Sequence, residues 1–155
     1  MTFITTAGWV AQAVKGAVLH GDADTGIARV CTDARKTEPG DLFVGLRGER
    51  FDGTDFAADA AARGASAVMV SRLIEGINAV QIVVPDVNQA FCESAAAWRQ
   101  RFSIPVISVS GSNGKTTTTQ MIASILREAY GRDGYLSTEG NFNNSVGVPI
   151  TLWRL

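Results

Sequence analysis

The run from Val106 to Thr117 constrains the fold of this chain more than any other. It opens on Val106, Ile107 and Val109, a β-branched apolar segment of the kind that forms a buried parallel strand. Gly111 and Gly114 then bracket Ser112 and Asn113. A helical pattern follows, with Met121, Ile122, Ile125, Leu126 and Ala129 on one face. A strand, a glycine turn, Lys-Thr and a helix together make a phosphate cradle. Glycine lets backbone N–H groups turn toward an anion with no Cβ in the way. The helix N-terminus adds unpaired donors and partial positive charge. Gly111, Ser112, Asn113, Gly114, Lys115, Thr116 and Thr117 are therefore the candidate phosphate-binding residues. Lys115 would bring the catalytic charge to the outer phosphates, and the Thr116 hydroxyl would ligate Mg²⁺. The common phosphate loop has four residues between its first glycine and Gly-Lys, whereas this one has two. The plainer alternative is a glycine-capped strand-to-helix turn with an exposed lysine; the flanking pattern favours the cradle.

A length of 155 residues fits one domain or slightly more. Hydrophobic residues at 46% and charged residues at 19% supply a core beneath a solvated surface. A net charge of −1, with no long basic stripe, argues against nucleic acid as the main partner. Cys31 and Cys92 lack ligand-like spacing and read as buried thiols in a reducing compartment. The chain opens without a signal-peptide pattern, and no apolar run approaches membrane-spanning length. A cytoplasmic protein with no membrane insertion is expected.

Upstream of the cradle, strand and helix patterns alternate. Thr5 or Thr6 caps a short helix with Trp9, Val10, Ala13 and Val14 on its apolar face. Strands are expected at 17–20, 27–32, 42–46, 66–70 and 80–84, and Thr54 is expected to cap a helix that closes at Gly64. Pro85-Asp86 opens the longest upstream helix, with Val87, Phe91, Ala95, Trp98 and Phe102 at core spacing. The lone His20 reads as structural. The fold class expected is α/β: a small α/β domain over 1–103, then the opening βαβ of a P-loop ATPase-type central domain over 104–155. In that unit Tyr135-Leu136-Ser137 is the second strand, lying parallel to 106–110 by a right-handed crossover. Pro149 stands at the entry of a last helix.

Three stretches together resemble the Mur ligases, the ATP-dependent amide-forming enzymes of bacterial cell-wall synthesis. The first runs through Thr32-Asp33-Ala34-Arg35, Pro39-Gly40-Asp41-Leu42-Phe43-Val44 and Gly48-Glu49-Arg50-Phe51-Asp52-Gly53. The second is Gly111 to Thr117, whose short spacing is similar to the family's own phosphate loop. The third is Gly140-Asn141-Phe142-Asn143-Asn144-Ser145-Val146-Gly147-Val148-Pro149-Ile150-Thr151-Leu152. The resemblance implies an N-terminal domain for the UDP end of a muramoyl-peptide and a central domain for ATP and Mg²⁺. It implies that ATP phosphorylates a carboxylate to an acyl phosphate, which an amine then attacks. The asparagine-rich stretch implies UDP-N-acetylmuramoyl-tripeptide and D-alanyl-D-alanine as the partners. The family's later metal ligands and closing domain are not among these residues, so the 155 residues alone are not expected to catalyse.

On this resemblance Arg35 and Arg50 become candidate contacts to the UDP moiety, since a guanidinium forks onto diphosphate or stacks on uracil. Read from the residues alone, both are solvated surface arginines. Thr32 and Asp33 could bond the uridine, or Asp33 could turn back on its own backbone. Arg47 is either a third cation near the phosphates or plain surface. Phe51 lies in the same loop. Asn141, Asn143 and Asn144 bring donor and acceptor without charge, which suits peptide amides beside a phosphate site; a simple left-handed turn is the alternative. Two other functions stay open: a UDP-sugar-binding module without catalysis, and another Mur or folylpolyglutamate-type carboxylate–amine ligase.

Overall fold

The computed structural model describes residues 2–138 and 146–155. The chain divides into two compact units, Met1–Ser94 and Ala95–Leu155, and each is described by itself.

The first unit is built on a five-stranded sheet. Its members are β2 (Val18–His20), β4 (Arg29–Cys31), β5 (Asp41–Val44), β6 (Ala67–Val70) and β7 (Val80–Val83), in the spatial order β2-β7-β6-β5-β4. β4 to β7 run parallel, and β2 closes the edge antiparallel to β7. The apolar runs Leu42-Phe43-Val44 and Ala67-Val68-Met69-Val70 are buried along their whole length, as parallel strands covered on both faces require. Phe43, Val68 and Val70 pack with Ala57, Ala60 and Ala65 on one face. Their alternates Leu42, Val44, Met69 and Ile82 point the other way and are equally buried. Gln81 sits inside this core because its amide bonds both the N–H and the C=O of Ile74, each at 2.8 Å.

The expected 27–32 strand is two pieces. β3 (Gly26–Ile27) pairs with β1 (Thr5–Thr6), while β4 joins the main sheet and the Ala28 N–H between them bonds Gly40 C=O at 2.8 Å. Thr6 caps α1 (Ala7–Gln12), accepting from the Trp9 N–H at 3.3 Å. Thr54 is not a cap. The Asp52 carboxylate takes that role over the short Gly53–Phe56 turn that leads into α2 (Ala57–Ala62), accepting from Thr54 N–H at 2.9 Å. The buried Thr54 hydroxyl instead accepts the Ser71 N–H at 3.1 Å. Asp86 caps α3 (Val87–Arg99), accepting from Gln89 N–H at 3.0 Å, as the Pro-Asp start predicts. His20 is exposed and in register with Gln81, toward the amino ends of the parallel strands.

In the second unit the cradle helix forms as α4 (Lys115–Tyr130), followed by α5 (Gly147–Leu152) with Pro149 in its first turn. Trp98 stacks on Trp153 with ring centroids 5.1 Å apart and meets Phe102 edge-on at 5.4 Å. The two strands expected around α4 are absent: residues 104–110 and 135–137 pair with no strand among the described residues. A strand exists only through a hydrogen-bonded neighbour, and β propensity without one leaves extended chain. Val106 and Ile107 are accordingly 59% and 60% exposed. The apolar face expected of α4 is also largely uncovered, with Met121 and Ile125 exposed and Ala123 buried.

Candidate functional site

In the first unit the parallel strands end on one edge of the sheet, where open α/β sheets place ligands. The turn after β4 and the loop after β5 therefore come together there, and they hold Thr32, Asp33, Arg35, Arg47, Arg50 and Phe51.

The turn is built around Asp33. Its Oδ1 accepts the Arg35 N–H at 3.1 Å and caps one 3₁₀ turn, Ala34–Lys36. The same carboxylate receives Arg35 Nε at 3.0 Å and Nη2 at 2.9 Å. The Arg35 side-chain hydrogen bond, with the turn N–H behind it, lowers the Asp33 pKa from 3.8 to about 2. The reciprocal bond raises that of Arg35. The backbone turn read for Asp33 is present in this structure. Arg35 spends one edge of its fork on Asp33, yet its side chain is 85% exposed and three of its five N–H donors point elsewhere. Thr32 is half-buried at the entry to the turn.

The loop after β5 leaves through Gly45 and returns through Gly53. A Cβ on Gly45 would lie 2.8 Å from Thr54 N, and one on Gly53 would lie 2.5 Å from Leu46 O. The two chain segments thus touch backbone to backbone at the neck, which only glycine permits. Above the neck, Arg47 and Asp52 form a bridge, and Gly48 N–H bonds Phe51 C=O at 2.9 Å. Arg47, Arg50 and Phe51 are exposed on this hairpin, and Phe51 meets Phe56 edge-on at 6.4 Å. Burial pushes the Asp52 carboxyl up, but the Thr54 bonds and the Arg72 and Arg47 charges hold it below its usual range. Arg72, just past β6, reaches Asp52 at 3.8 Å and also pairs with Asp55. Asn88 bonds the Arg47 backbone through both ends of its amide, at 2.8 and 2.9 Å. Sequence reasoning passed over Asp52, Arg72 and Asn88; a short polar side chain just after the Pro-Asp helix start was the available signal for Asn88.

The phosphate turn belongs to the second unit. Gly111 has φ of +149° and Gly114 has φ of +75°, ψ of 2°, so the chain enters α4 from a left-handed residue. Nothing lies within 4 Å of a Cβ built on Gly114. Its role is backbone shape, and the space beside it is open to a ligand. Ser112, Asn113, Thr116 and Thr117 are exposed around the helix start, and Lys115 Nζ donates to Gly111 C=O across the turn. With α4 sixteen residues long, its N-terminal dipole adds to the lysine charge. These residues fit a polyphosphate: open space, a left-handed turn, a helix N-terminus and one cation. The Thr116 hydroxyl, in the first turn of α4, is of the type that ligates Mg²⁺. Asn141, Asn143 and Asn144 lie outside the described residues. Among the described residues no helix is long and apolar enough to cross a membrane.

Comparison with known proteins accounts for both halves. Residues 26–111 match the Mur ligase family, catalytic domain, and residues 109–155 match the Mur ligase middle domain. The chain is 46% identical over 134 residues to the UDP-N-acetylmuramoyl-tripeptide–D-alanyl-D-alanine ligase of Synechocystis, covering 85% of this chain and 29% of that protein. It superposes on a crystal structure of MurF from Acinetobacter baumannii with a TM-score of 0.84 at 38% identity, covering 97% of this chain and 33% of that one. A MurF ligase from Thermotoga maritima, solved in complex with ADP, follows with a TM-score of 0.68 at 30% identity over 81% of this chain and 28% of that one. The chain thus spans about a third or less of each relative's length. On the match across 26–111, more than half of its residues, the chain belongs to the Mur ligase family.

Proposed function

We propose that this chain forms the sugar-nucleotide and phosphate-binding part of a ligase that adds D-alanyl-D-alanine to UDP-N-acetylmuramoyl-tripeptide, driven by ATP. The observation that carries this reading is the left-handed glycine turn at the start of α4, with Lys115 beside it, in a chain 46% identical to a ligase of that name. Residues 1–103 take the UDP end and residues 104–155 open the ATP domain. Thr32, Asp33, Arg35, Arg47, Arg50 and Phe51 receive the UDP moiety. Gly111 to Thr117 cradle the ATP phosphates, and the ADP held by the Thermotoga relative supports that assignment. Asn141, Asn143 and Asn144 line the muramoyl-peptide side. The proposed setting is the cytoplasm.

The chemistry is the one the family resemblance implies. A carboxylate oxygen of the tripeptide attacks the γ-phosphorus of ATP, ADP leaves, and an acyl phosphate results. The amine of D-alanyl-D-alanine then attacks the acyl carbon, and inorganic phosphate departs. Phosphoryl transfer needs positioning and charge neutralisation rather than a nucleophilic side chain. Lys115 leaves its Gly111 carbonyl to meet the outer phosphates, and the turn N–H groups hold them in place. Mg²⁺, held through Thr116, supplies further neutralisation when bound. Because the chain spans about a third or less of its relatives, the activity is proposed for the whole protein.

The test is Lys115→Ala in the full-length enzyme. Acyl-phosphate formation, followed by ADP release in the presence of the tripeptide, should fall at least a hundredfold, about 2.7 kcal/mol of transition-state stabilisation. Unchanged ADP release would refute the assignment of the turn.

A further inference from the structure

The loop that carries Arg47, Arg50 and Phe51 is tied to itself by the Arg47–Asp52 bridge and the Gly48–Phe51 and Gly53–Leu46 bonds. Those bonds fix its local shape and leave its tilt over the sheet edge undetermined. From outside, Asn88 in the first turn of α3 holds the outgoing arm of the loop. Asn88 Oδ1 accepts the Arg47 N–H at 2.8 Å, and Asn88 Nδ2 donates to the Arg47 C=O at 2.9 Å, across 41 residues of sequence. A primary amide that satisfies both main-chain groups of one residue substitutes for a neighbouring strand. Aspartate offers only the acceptor half, and alanine offers neither. Asn88 is itself half-buried in the first turn of a helix that Asp86 caps, so the anchor is rigid. On the other flank, Ser71 holds Thr54 and Arg72 holds Asp52 and Asp55. These bonds hold the foot of the loop at Thr54 and Asp55 and its returning arm at Asp52, whereas the Asn88 bonds hold the outgoing arm at Arg47.

We infer that Asn88 is a positioning residue for UDP recognition: its amide clamp on the Arg47 backbone presents Arg47, Arg50 and Phe51 to the diphosphate and uracil in one orientation. The inference rests on the proposed role of this loop as a UDP contact. A loop held before the ligand arrives does not lose its freedom on binding, so the clamp contributes affinity without touching the ligand.

The 155-residue chain and its variants Asn88→Ala, Asn88→Asp and Arg50→Ala are titrated calorimetrically with UDP-N-acetylmuramic acid. Exchange of the Arg47 amide proton and the melting temperature are followed alongside. Asn88→Ala should expose the Arg47 amide to exchange and raise the Kd about tenfold, or roughly 1.4 kcal/mol. Asn88→Asp should keep the amide protected and weaken binding by a smaller factor. If Arg50→Ala weakens binding and Asn88→Ala binds like the parent chain, the clamp is wrong while the loop assignment stands. If the parent chain does not bind, or Arg50→Ala binds as tightly as it does, the loop assignment fails and the clamp with it. Should Asn88→Ala fail to fold, Asn88→Asp decides: intermediate affinity supports the clamp, and parental affinity overturns it.

Discussion

At Asp33 one carboxylate caps a turn and grips a guanidinium two residues on. Its pKa of about 2, against the ordinary 3.8, has a definite sign for stability. A group depressed on folding stabilises the fold above its unfolded pKa. That contribution is lost as the pH falls from about 4 toward 2. Following the Asp33 carboxyl carbon by NMR should give a midpoint near 2 in the parent chain and one shifted up toward 3.8 in Arg35→Ala. An unmoved midpoint would show that the turn N–H, not the guanidinium, holds the proton off. A diphosphate that draws Arg35 away should move the midpoint in the same direction. At this scale much was legible in the sequence. An aspartate just ahead of a short turn signals a side-chain-to-backbone bond, and Gly111 and Gly114 around Ser112-Asn113 signal a turn that needs glycine's backbone freedom. Thr54 misled because threonine and aspartate both cap well. Only the position of Ser71 decides that the Thr54 hydroxyl is engaged elsewhere.

Among the elements, β5, β6 and β7 were readable as apolar runs because they are buried on both faces. The break at Ala28 was not, since it arises from two sheets competing for one strand. The segments 104–110 and 135–137 carry good β residues and form no ladder among the described residues. Pairing depends on a partner strand, which local pattern does not encode. The loop after β5 was read as a loop, but its closed neck follows from Gly45 and Gly53 facing each other. Gly53→Ala should therefore cost about 1–3 kcal/mol in urea unfolding, because backbone atoms cannot yield to the new methyl as a side chain would. An unchanged urea midpoint in Gly53→Ala would mean the neck is not closed.

Across the whole molecule, two sites are assigned on different grounds. The phosphate turn is named by a local motif, and its turn geometry agrees with that motif. The UDP edge is proposed from the family resemblance, and the topology agrees with it: parallel strands bring the Thr32–Lys36 turn and the Arg47–Phe51 loop to one side of the sheet although 10 or more residues separate them in sequence. Exposed Val106, Ile107, Met121 and Ile125 mark apolar surface in the second unit that the described residues leave uncovered. The central claim is that the carboxyl edge of the first unit receives the UDP end of the substrate. Titrating the isotope-labelled 155-residue chain with UDP-N-acetylmuramoyl-tripeptide tests it most directly. The amides of Asp33, Arg35, Arg47, Arg50 and Phe51 should shift together with a single saturation curve, while His20, toward the amino ends of the strands, stays in place. Shifts centred on His20 and the Gly21–Thr25 loop, with the Asp33 and Arg50 amides unmoved, would contradict it.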